Sequence, residues 1–303
     1  MKVFIIVLCW NAKAYISKCL NSLQKLKEKP EIIVVDNAST DDSVPFLRKN
    51  YPKLKILKNE KNLGYAEGNN VGIKYALDHG ADFVWIVNPD VTVAPDSLTA
   101  FLKAVEKYPR AGIFTPKIYF APGYEFHQER YSKKEQGKVI WSAGGLMDWA
   151  NLIGSHRGVD EVDIGQYNSD SLTEFATGAT IFIRRKILDQ IGLIDPKYFL
   201  YYEENDFCQR AKNGGWLVMY VADALAWHSN ARATGIGSPL QDYYISRNRM
   251  LFGLRWAPLR TKLALIRNSL FDILIHGRPW QRRGILDFYL MRFGQGSYKG
   301  ERK

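Results

Sequence analysis

The sequence predicts an α/β protein in which helices flank a mostly parallel central β-sheet and a C-terminal amphipathic helical appendage follows. Over the first ninety residues, short apolar runs alternate with segments of helical spacing, a pattern typical of a parallel sheet covered on both faces. Polar clusters directly follow three of the apolar runs, at 10–11, 36–37 and 88–90. Ligands bind beyond the carboxyl ends of the strands in such sheets, so these clusters predict one binding site.

The individual elements follow from the spacing of the apolar residues. The predicted strands are 3–8, 32–35, 54–58, 83–87, 180–183 and 216–221. The predicted helices are 14–26, 44–48, 68–79, 185–191 and 204–213. Residues 120–172 have little periodicity and are rich in Gly, Tyr and Trp. We expect loops there, with a short hairpin around 139–141 that forms a lid or an acceptor wall.

Length and composition favour one large domain, or one domain with an appendage. The chain has 303 residues, of which 46% are apolar, enough to build a buried core. Its three cysteines, Cys9, Cys19 and Cys208, show no CxxC spacing. We therefore expect neither a disulfide framework nor a structural zinc site, which fits a reducing cytosol. The apolar start reads as a buried strand rather than a signal peptide. No run reaches the ~18–20 apolar residues of a membrane span, so a soluble or peripheral protein is expected.

The net charge of +11 lies almost wholly in the C-terminal segment. Residues 1–246 carry 29 Lys and Arg against 28 Asp and Glu, whereas residues 247–303 carry 13 against 3. This asymmetry suggests an acidic partner. Anionic lipid is preferred to nucleic acid, because the segment contains no recognisable nucleic-acid-binding module. The alternative is a solvated basic tail.

The same segment has an amphipathic pattern. A helical stripe with steps of three and four residues is formed by Leu259, Leu263, Ile266, Leu270 and Leu274. A second predicted helix carries Ile285, Phe288, Tyr289 and Phe293. Basic residues beside Leu, Phe and Trp suit a helix that lies in a membrane interface. The alternative is a helix packed on the core with its arginines in water.

A carboxylate and an imidazole are candidates for metal ligation. Asp90 ends the run Asn88-Pro89-Asp90 after a predicted strand. There it could bind a hard divalent cation whose other ligands are phosphate oxygens, although an Asp after Pro also commonly caps a turn. His228 follows an apolar stretch. It is either a packed core histidine or, if it faces Asp90, a second ligand for an Mn²⁺-like ion.

Further acidic positions are candidates for ligand binding and catalysis. Asp36 lies at the tip of a strand, where it could accept a hydrogen bond from a pyrimidine N–H or a ribose hydroxyl. Glu203 and Glu204 follow an aromatic run. Like charges and desolvation raise carboxyl pKa values, so one of the two could be a general base; an acidic first helical turn is the alternative. Asp206, four residues before Arg210, is interpreted as structural.

Six segments together resemble the large family 2 of glycosyltransferases with the GT-A (Rossmann-like) fold, most closely its bacterial rhamnosyltransferase-like branch. The segments are IIVVDNASTDDS (32–43), NEKNLGYAEGNNVGI (59–73), WIVNPDVTV (85–93), FATGATIFIRR (175–185), YYEENDFCQRA (201–211) and AWHSNA (226–231). They occur in the order of the family and span about residues 3–231. The resemblance implies a catalytic domain over 1–231, followed by a basic helical segment over 232–303.

The resemblance also implies roles for single residues. Nucleotide binding is implied for Trp10, Asn11, Asp36, Asn62, Gly64, Asn70 and Asn88. Asn88 stands where the family more often has Asp. Asp90 and His228 are implied as ligands of Mg²⁺ or Mn²⁺. Thr177-Gly178-Ala179 matches a loop beside the donor sugar and the acceptor.

The implied reaction inverts the configuration at the anomeric carbon of a sugar. Glu203 and Glu204 match an acidic pair whose second member, Glu204, takes a proton from the acceptor hydroxyl as that oxygen attacks. The metal neutralises charge on the leaving diphosphate. Arg247 and Arg249 are further candidates for contact with the diphosphate, with surface salt bridging as the alternative.

The expected function is sugar transfer in cell-surface polysaccharide synthesis. Rhamnose from dTDP-rhamnose is the preferred donor and a UDP-hexose the second choice; a glycan or lipid-linked glycan is the acceptor. The expected location is the cytoplasm, at the inner face of the cell membrane, and the oligomeric state is not predicted. A nucleotidyltransferase would show a Gly-rich, basic loop where residues 9–14 read CWNAKA. A non-catalytic, membrane-associated carbohydrate-binding protein would keep the fold without binding a nucleotide.

Overall fold

The computed structural model describes residues 1–229 and 237–299. The predicted domain boundary between residues 231 and 232 lies outside the described residues, as do the last two residues of the AWHSNA segment. The elements predicted within the first ninety residues and at 180–213 are present, with ends shifted by a few residues.

The bounds of the elements are as follows. The strands are β1 (Val3–Cys9), β2 (Glu31–Asp36), β3 (Lys55–Lys58), β4 (Phe83–Val87), β5 (Val91–Val93), β6 (Ala111–Phe120), β7 (Ile140–Ser142), β8 (Gly145–Asp148), β9 (Ile153–His156), β10 (Ser171–Leu172), β11 (Thr180–Arg184) and β12 (Leu217–His228). The α-helices are α1 (Ile16–Leu23), α2 (Ser43–Asn50), α3 (Gly64–Asp78), α4 (Ser97–Lys107), α5 (Arg185–Ile191), α6 (Glu203–Asn213), α7 (Pro239–Trp256), α8 (Leu259–Phe271) and α9 (Pro279–Tyr289). A 3₁₀ turn at Gln128–Arg130 and a π-helical turn at Asp272–His276 complete the set.

The central sheet has the strand order β10-β12-β6-β11-β4-β1-β2-β3, with β5 paired to β12 and β7 to β6. Strands β4, β1, β2 and β3 pair in parallel, as do β6 and β12. Strand β11 runs antiparallel between β4 and β6. The predicted α/β class is confirmed, and the parallel half is the N-terminal part of the sheet. Strands β1 and β4 are almost wholly buried apolar runs, as is typical of strands covered on both faces.

Alternate residues of β1 point to opposite faces of the sheet and enter two separate cores. Ile5 and Val7 pack into one core with side chains of α1, α2 and α4. Phe4 and Ile6 pack into the other with side chains of α3, α5 and α6. This double covering fixes the parallel strands, so their carboxyl ends bring the predicted polar clusters to one edge of the sheet.

The segment with little periodicity folds differently from the prediction. The prediction of a hairpin around 139–141 is wrong, because β7 pairs with β6 in the central sheet. The hairpin is formed by β8 and β9 instead, with Gly145 opposite His156. Its turn reaches the C-terminal helices, since Leu152 is buried in a cluster with Met250 and Leu265.

Helix α7 is absent from the predicted elements. Its buried residues include Asp242, Arg247 and Asn248, so it shows no apolar stripe. It packs closely beside α9: a Cβ on Gly284 would lie 2.3 Å from the carbonyl oxygen of Tyr243. The C-terminal segment is therefore built into the fold through α7, and a large side chain at 284 would separate the two helices.

Helix α8 and the π-helical turn present most of the predicted apolar stripe to solvent. Leu259, Leu263 and Leu274 are 72%, 60% and 74% exposed. Leu265, which lies off this stripe, is buried toward α7. Within the described parts of the chain, no helix combines the length and the apolar character needed to cross a bilayer.

Candidate active site

Asp90 and His228 lie together at the carboxyl edge of the sheet. Strand β12 continues past its predicted end to His228, and its pairing with β5 sets His228 opposite Val91. Nε2 of His228 is 3.2 Å from Oδ2 of Asp90. The amide of Ser229 donates to the carbonyl oxygen of Asp90 at 3.0 Å. His228 therefore faces Asp90, which is the condition for a role as second ligand.

This pair fits a divalent cation. Two ligands on adjacent corners of an octahedron with bonds of about 2.1 Å lie roughly 3 Å apart, close to the separation of the two side-chain atoms. Nδ1 of His228 is buried without a hydrogen-bond partner among the described residues. In residues 1–229 and 237–299 no three His, Cys, Asp or Glu side chains cluster as a metal site. The remaining ligands would be phosphate oxygens and water, as is usual for Mg²⁺.

The loop before α6 has an unusual backbone. Phe199, Tyr201 and Tyr202 have φ angles of 64°, 70° and 70°, in the left-handed region that residues with a Cβ rarely adopt. Each such residue costs roughly 1–3 kcal/mol, so the surrounding contacts must hold the loop in place. The loop leads directly into α6, which begins at Glu203.

Asn248 of α7 holds this loop. Its buried Nδ2 donates to the carbonyl oxygens of Tyr198, Leu200 and Tyr201 at 2.8, 2.8 and 2.9 Å. The hydrogen bonds replace those that a regular backbone would make and oppose relaxation of the left-handed residues. A side chain from the C-terminal segment thus positions the first turn of α6.

Arg247 binds the same loop, which corrects its predicted role at a diphosphate. Its side chain is fully buried. Nη2 donates to the carbonyl oxygens of Lys197 and Tyr198 at 3.1 and 2.8 Å, and Nη1 donates to that of Gly294 at 2.6 Å. Nε donates to the side-chain oxygen of Asn248 at 2.9 Å. Arg247 is therefore an internal brace, and the alternative of a surface salt bridge is wrong as well.

The two glutamates at the start of α6 lie in different surroundings. Glu204 lines a cavity of about 470 Å³, and burial raises its pKa to about 7. Glu203 is 4% exposed; burial and the charge of Glu204 raise its pKa well above the usual range. Burial, and then the charges of Glu203 and Glu204, raise the pKa of Tyr65 on α3, so both glutamates lie near this tyrosine. Glu204 is therefore the glutamate that can exchange a proton with a bound molecule near neutral pH.

The cavity lies between the β8–β9 hairpin, the start of α6 and helix α7. It is lined by Asn151, Ile153, Gly154, His156, Phe175, Tyr201, Tyr202, Glu204, Asn205, Ile245 and Arg249. Arg249 thus shares a cavity with Glu204. Its Nε and Nη2 donate to the carbonyl oxygen of Asn151 at 3.2 and 2.8 Å, which fixes the guanidinium against the hairpin.

His156 and Trp141 connect this cavity with the metal-ligand pair. The Trp141 ring centroid is 4.3 Å from that of His156 and 4.6 Å from that of His228. Burial, and then the charge of His228, lower the pKa of His156 to about 4, so its ring is neutral near pH 7. Asp90 and Glu204 therefore lie on two sides of one continuous group of side chains. Sequence reasoning missed both bridging residues, because they stand in the segment with little periodicity.

Trp10, Asn11 and Asp36 lie at the ends of β1 and β2, where these strands pair in parallel. Asp36 is buried, and its Oδ1 accepts from the amide of Ser39 at 3.1 Å. Oδ1 of Asn11 accepts from the amide of Thr40 at 2.8 Å. The Trp10 ring is 45% exposed. The structure thus groups these three residues, and their contact with a nucleotide stays a prediction.

Asn62 and Gly64 shape the turn at the start of α3. Oδ1 of Asn62 accepts from the amide of Gly64 at 2.8 Å and from the side chain of Asn37 at 2.9 Å. Gly64 has a φ of +76°, and a Cβ there would lie 2.5 Å from Phe199. The amide of Tyr65 donates to the Phe199 carbonyl oxygen at 2.6 Å. Glycine is therefore required by the approach of the left-handed loop, while nucleotide binding at 62 and 64 stays a prediction.

Asn70 is an internal brace, which corrects its predicted role at the nucleotide. It is 1% exposed. Its Nδ2 donates to the carbonyl oxygen of Ile194 at 2.8 Å and to Glu67 at 2.9 Å, and its Oδ1 accepts from the amide of Ile194 at 3.2 Å. A buried amide whose donors and acceptor all bind the chain joins α3 to the loop after α5 and does not reach a ligand.

The Thr177-Gly178-Ala179 loop lies beside Asn88, two residues before Asp90. The amide of Asn88 donates to the carbonyl oxygen of Ala179 at 2.9 Å. The hydroxyl of Tyr65 donates to the carbonyl oxygen of Gly178 at 2.5 Å. The loop therefore extends from the metal-ligand side toward Glu203, as expected for a segment beside a donor sugar; its contact with the sugar stays a prediction.

The interpretation of Asp206 as structural is confirmed. The carboxylate is fully buried. It accepts from Arg210 at 2.9 Å, Arg255 at 2.6 Å, Trp256 at 2.8 Å and Tyr198 at 3.1 Å. A buried carboxylate with this many donors joins α6 to the end of α7.

The fold is that of the GT-A glycosyltransferases. The structure is similar to mannosyltransferase PcManGT from Pyrobaculum calidifontis, solved in complex with GDP-Man and Mn²⁺, with a TM-score of 0.56 and 15% identity over 96% of this chain and 74% of that one. The sequence profile named Glycosyl transferase family 2 matches residues 4–192. The chain belongs to this family.

Curated relatives place the chain in the rhamnosyltransferase-like branch. N-acetylglucosaminyl-diphospho-decaprenol L-rhamnosyltransferase of Mycobacterium tuberculosis is 28% identical over 244 residues, which cover 76% of this chain and 77% of the relative. Rhamnosyltransferase WbbL of Escherichia coli is 24% identical over 234 residues, which cover 75% and 83%.

Proposed function

We propose that this protein is a metal-dependent, inverting glycosyltransferase that uses a nucleotide-sugar donor. The observation that carries the proposal is the arrangement of Asp90 and Glu204. The first forms a pair with His228 at 3.2 Å. The second lines a neighbouring cavity, and Trp141 and His156 join the two places by ring contact. A donor can thus be bound by its diphosphate on one side and attacked from the other.

In this reaction Glu204 acts on the attacking hydroxyl, and Asp90 and His228 act on the side of the leaving diphosphate. Glu204 accepts the proton of the acceptor hydroxyl, which strengthens that oxygen as a nucleophile. The attack from the side opposite the diphosphate inverts the anomeric carbon. Asp90 and His228 would hold Mg²⁺ or Mn²⁺, which when bound neutralises charge on the leaving phosphate. Glu203 lies on the same helical turn, where burial and the charge of Glu204 raise its pKa and favour its protonated form.

The substrates follow from the relatives rather than from the site. Two rhamnosyltransferases among them support rhamnose as the transferred sugar. A further relative named as a dTDP-rhamnosyl transferase supports dTDP-rhamnose as the donor, with a UDP-hexose as the second choice. The decaprenol-linked substrate in the name of the mycobacterial relative supports a lipid-linked glycan as the acceptor. We place the reaction in cell-surface polysaccharide synthesis, at the cytoplasmic face of the membrane.

Nucleotide binding provides the direct test of this function. We expect dTDP to bind the wild-type protein at least about tenfold more tightly with Mn²⁺ than after EDTA treatment, as measured by isothermal titration calorimetry. In Asp90→Asn the difference between the two conditions should largely disappear, because an uncharged amide is a poor ligand for a hard cation. Asp96→Asn, at an exposed carboxylate before α4, is the matched control. If neither dTDP nor UDP binds with Mn²⁺, the non-catalytic carbohydrate-binding alternative is favoured.

The pH dependence of the reaction should report Glu204. A general base works only when it is deprotonated, so a pKa of about 7 predicts that the rate rises with pH and levels off above that value. Below it, kcat/KM should fall by about tenfold per pH unit. Initial rates with a soluble acceptor between about pH 5.5 and 9 would measure this. A flat profile through neutrality would contradict the assignment.

We also propose that the exposed stripe of α8 binds an anionic membrane surface. Leu263 and Leu274 are exposed, and Arg260 and Arg267 lie beside the stripe on the same helix. Apolar side chains flanked by arginines match the boundary between acyl chains and acidic headgroups. The surplus of basic residues over 247–303 gives the same segment the complementary charge.

Vesicle sedimentation tests this surface. We expect the wild-type protein to bind vesicles that contain phosphatidylglycerol, and Leu263→Asp combined with Leu274→Asp to lower binding by about tenfold or more. Ile164→Asp, at an apolar residue that is 87% exposed elsewhere, is the matched control and should bind like the wild type. Equal binding by all three proteins would remove α8 from the membrane contact.

A further inference from the structure

The cavity beside Glu204 contains polar atoms that the described chain does not satisfy. Oε2 of Glu204, Oδ1 of Asn205 and Nδ1 of His156 are buried and have no hydrogen-bond partner among the described residues. All three residues line the same cavity, and Asn205 is only 9% exposed. A buried polar atom left unpaired is energetically unfavourable. Three of them around one space indicate a ligand that supplies hydrogen bonds.

The kind of ligand follows from the chemistry of these atoms. An ionised carboxylate and an amide oxygen only accept hydrogen bonds, so the ligand must carry several donors, as a sugar does with its hydroxyls. Phe175 and Ile153 add apolar surface to the same cavity, against which the C–H face of a sugar ring can pack. A few convergent polar groups within apolar walls are typical of a small-molecule site.

The proposed reaction decides which substrate occupies this side. In an inverting displacement, the attacking and leaving oxygens lie on opposite sides of the anomeric carbon. Glu204 takes the proton of the attacking oxygen, and Asp90 lies toward the leaving diphosphate. Side chains that share the cavity with Glu204 therefore contact the acceptor rather than the nucleotide.

Arg249 adds a positive charge on this acceptor side. Its Nε and Nη2 donate to the carbonyl oxygen of Asn151, which sets the guanidinium against the β8–β9 hairpin at the cavity. A guanidinium oriented in this way suits a phosphate, whose oxygens match its planar set of donors. Arg249 is the cationic side chain among the residues that line this cavity.

The wall of the cavity is continuous with the helix that exposes the apolar stripe. Leu152, next to Asn151, is buried between α7 and α8: a Cβ on Gly253 would lie 2.3 Å from Leu152 and 2.6 Å from Leu265. Helix α8 therefore packs, through Leu265, against the residue next to the cavity wall.

We infer that this cavity binds an acceptor in which a sugar is joined to a phosphate, and that Arg249 binds this phosphate rather than the diphosphate of the donor. The inference rests on the proposed function and replaces the role predicted for Arg249 from the sequence. His156 and Asn205 bind hydroxyls of the acceptor sugar, while Glu204 binds the hydroxyl that reacts. Lipid-linked sugar diphosphates and soluble sugar phosphates share this chemistry, and the test separates them.

The test compares three acceptors with dTDP-rhamnose as the donor. They are octyl N-acetylglucosaminyl diphosphate, N-acetylglucosaminyl diphosphate without the octyl chain, and octyl N-acetylglucosaminide without phosphate. For the wild-type protein we expect the KM of both diphosphates to be at least about tenfold lower than that of the glycoside. A lower KM with the octyl chain than without it would point to a lipid-linked source, and equal values to a soluble one.

The variants locate the phosphate contact. Arg249→Ala should raise the KM of the diphosphates by about 10- to 100-fold and leave the KM of the glycoside and of dTDP-rhamnose unchanged. Arg249→Lys should keep part of the effect, because it keeps the charge but not the planar donors. Arg48→Ala, at an exposed arginine of α2, is the matched control. Thermal unfolding of each variant checks that it is folded.

Two results would overturn the inference. One is a raised KM for dTDP-rhamnose in Arg249→Ala with unchanged acceptor values, which would return this arginine to the donor. The other is equal use of acceptors with and without phosphate by the wild-type protein. Failure of the proposed function looks different, because no nucleotide sugar would then be consumed with any acceptor. Calorimetric binding of the octyl diphosphate to wild type and Arg249→Ala would still test the phosphate site in that case.

Discussion

Replacing Glu204 with glutamine is expected to give a folded protein whose turnover is lower by about 10²- to 10⁴-fold. The amide has nearly the size of the carboxyl group but does not accept the proton of the acceptor hydroxyl. Oε2 of Glu204 has no partner among the described residues, so the change removes no stabilising contact of that atom. We expect kcat to fall while the calorimetric Kd for dTDP and the thermal unfolding midpoint stay near those of the wild type.

Glu203→Gln is the matched variant for this experiment. Glu203 lies one residue away on the same helical turn, but burial and the charge of Glu204 raise its pKa well above the usual range. The protonated form of Glu203 is therefore favoured, and glutamine resembles that form. We expect a much smaller loss of kcat than in Glu204→Gln. Near-normal turnover in Glu204→Gln combined with a large loss in Glu203→Gln would reverse the assignment of the base.

Replacing Arg247 with methionine is expected to lower the free energy of unfolding by about 3–5 kcal/mol, because a buried polar network loses its donor. Methionine fills much of the same volume. It removes the side-chain donor to the carbonyl oxygen of Gly294 and one of two donors to that of Lys197, which also accepts from the amide of Gly294. It also removes the guanidinium from the Tyr244 ring, whose centroid lies 5.0 Å away. The left-handed loop that leads into Glu203 would lose part of its support, so turnover should fall as well.

Arg249→Met is the control for this prediction, since it makes the same change two residues further along α7. Arg249 lies at the cavity and donates to a single carbonyl oxygen, that of Asn151, so we expect a loss of at most about 1 kcal/mol. Urea unfolding followed by circular dichroism would measure both variants. Equal and small losses would show that Arg247 does not brace the loop.

The part of the site that contains Asp36 and Asp90 could be predicted from the sequence, because it lies at the ends of strands. Asp36 and Asp90 follow continuous apolar runs, and parallel strands covered on both faces place their carboxyl ends at one edge. The same reasoning predicted His228 as a metal ligand only on the condition that it faces Asp90. Its place beside Asp90 depends on β12 continuing to residue 228 and pairing with β5, and strand length and register are set by partners that are distant in the sequence.

The part of the site around the cavity beside Glu204 could not be predicted in the same way. His156 belongs to a hairpin in a segment with little periodicity, and it reaches Trp141 only through the tertiary arrangement. Arg247 and Asn248 resemble surface residues in the sequence. Their burial is possible because they donate hydrogen bonds to backbone carbonyl oxygens of a loop about fifty residues earlier, and this contact is not visible in the local sequence.

The sequence by itself determined the α/β class, the family resemblance, the metal-ligand candidate Asp90 and the acidic pair at the start of α6. These follow from local order: apolar periodicity, and short motifs whose residues are neighbours in the chain. Only the tertiary structure decided which glutamate lines the cavity, which of Arg247 and Arg249 lies at that cavity, and that α7 holds the loop before α6. Burial and hydrogen-bond partners decide these matters, and both depend on which distant segments pack together.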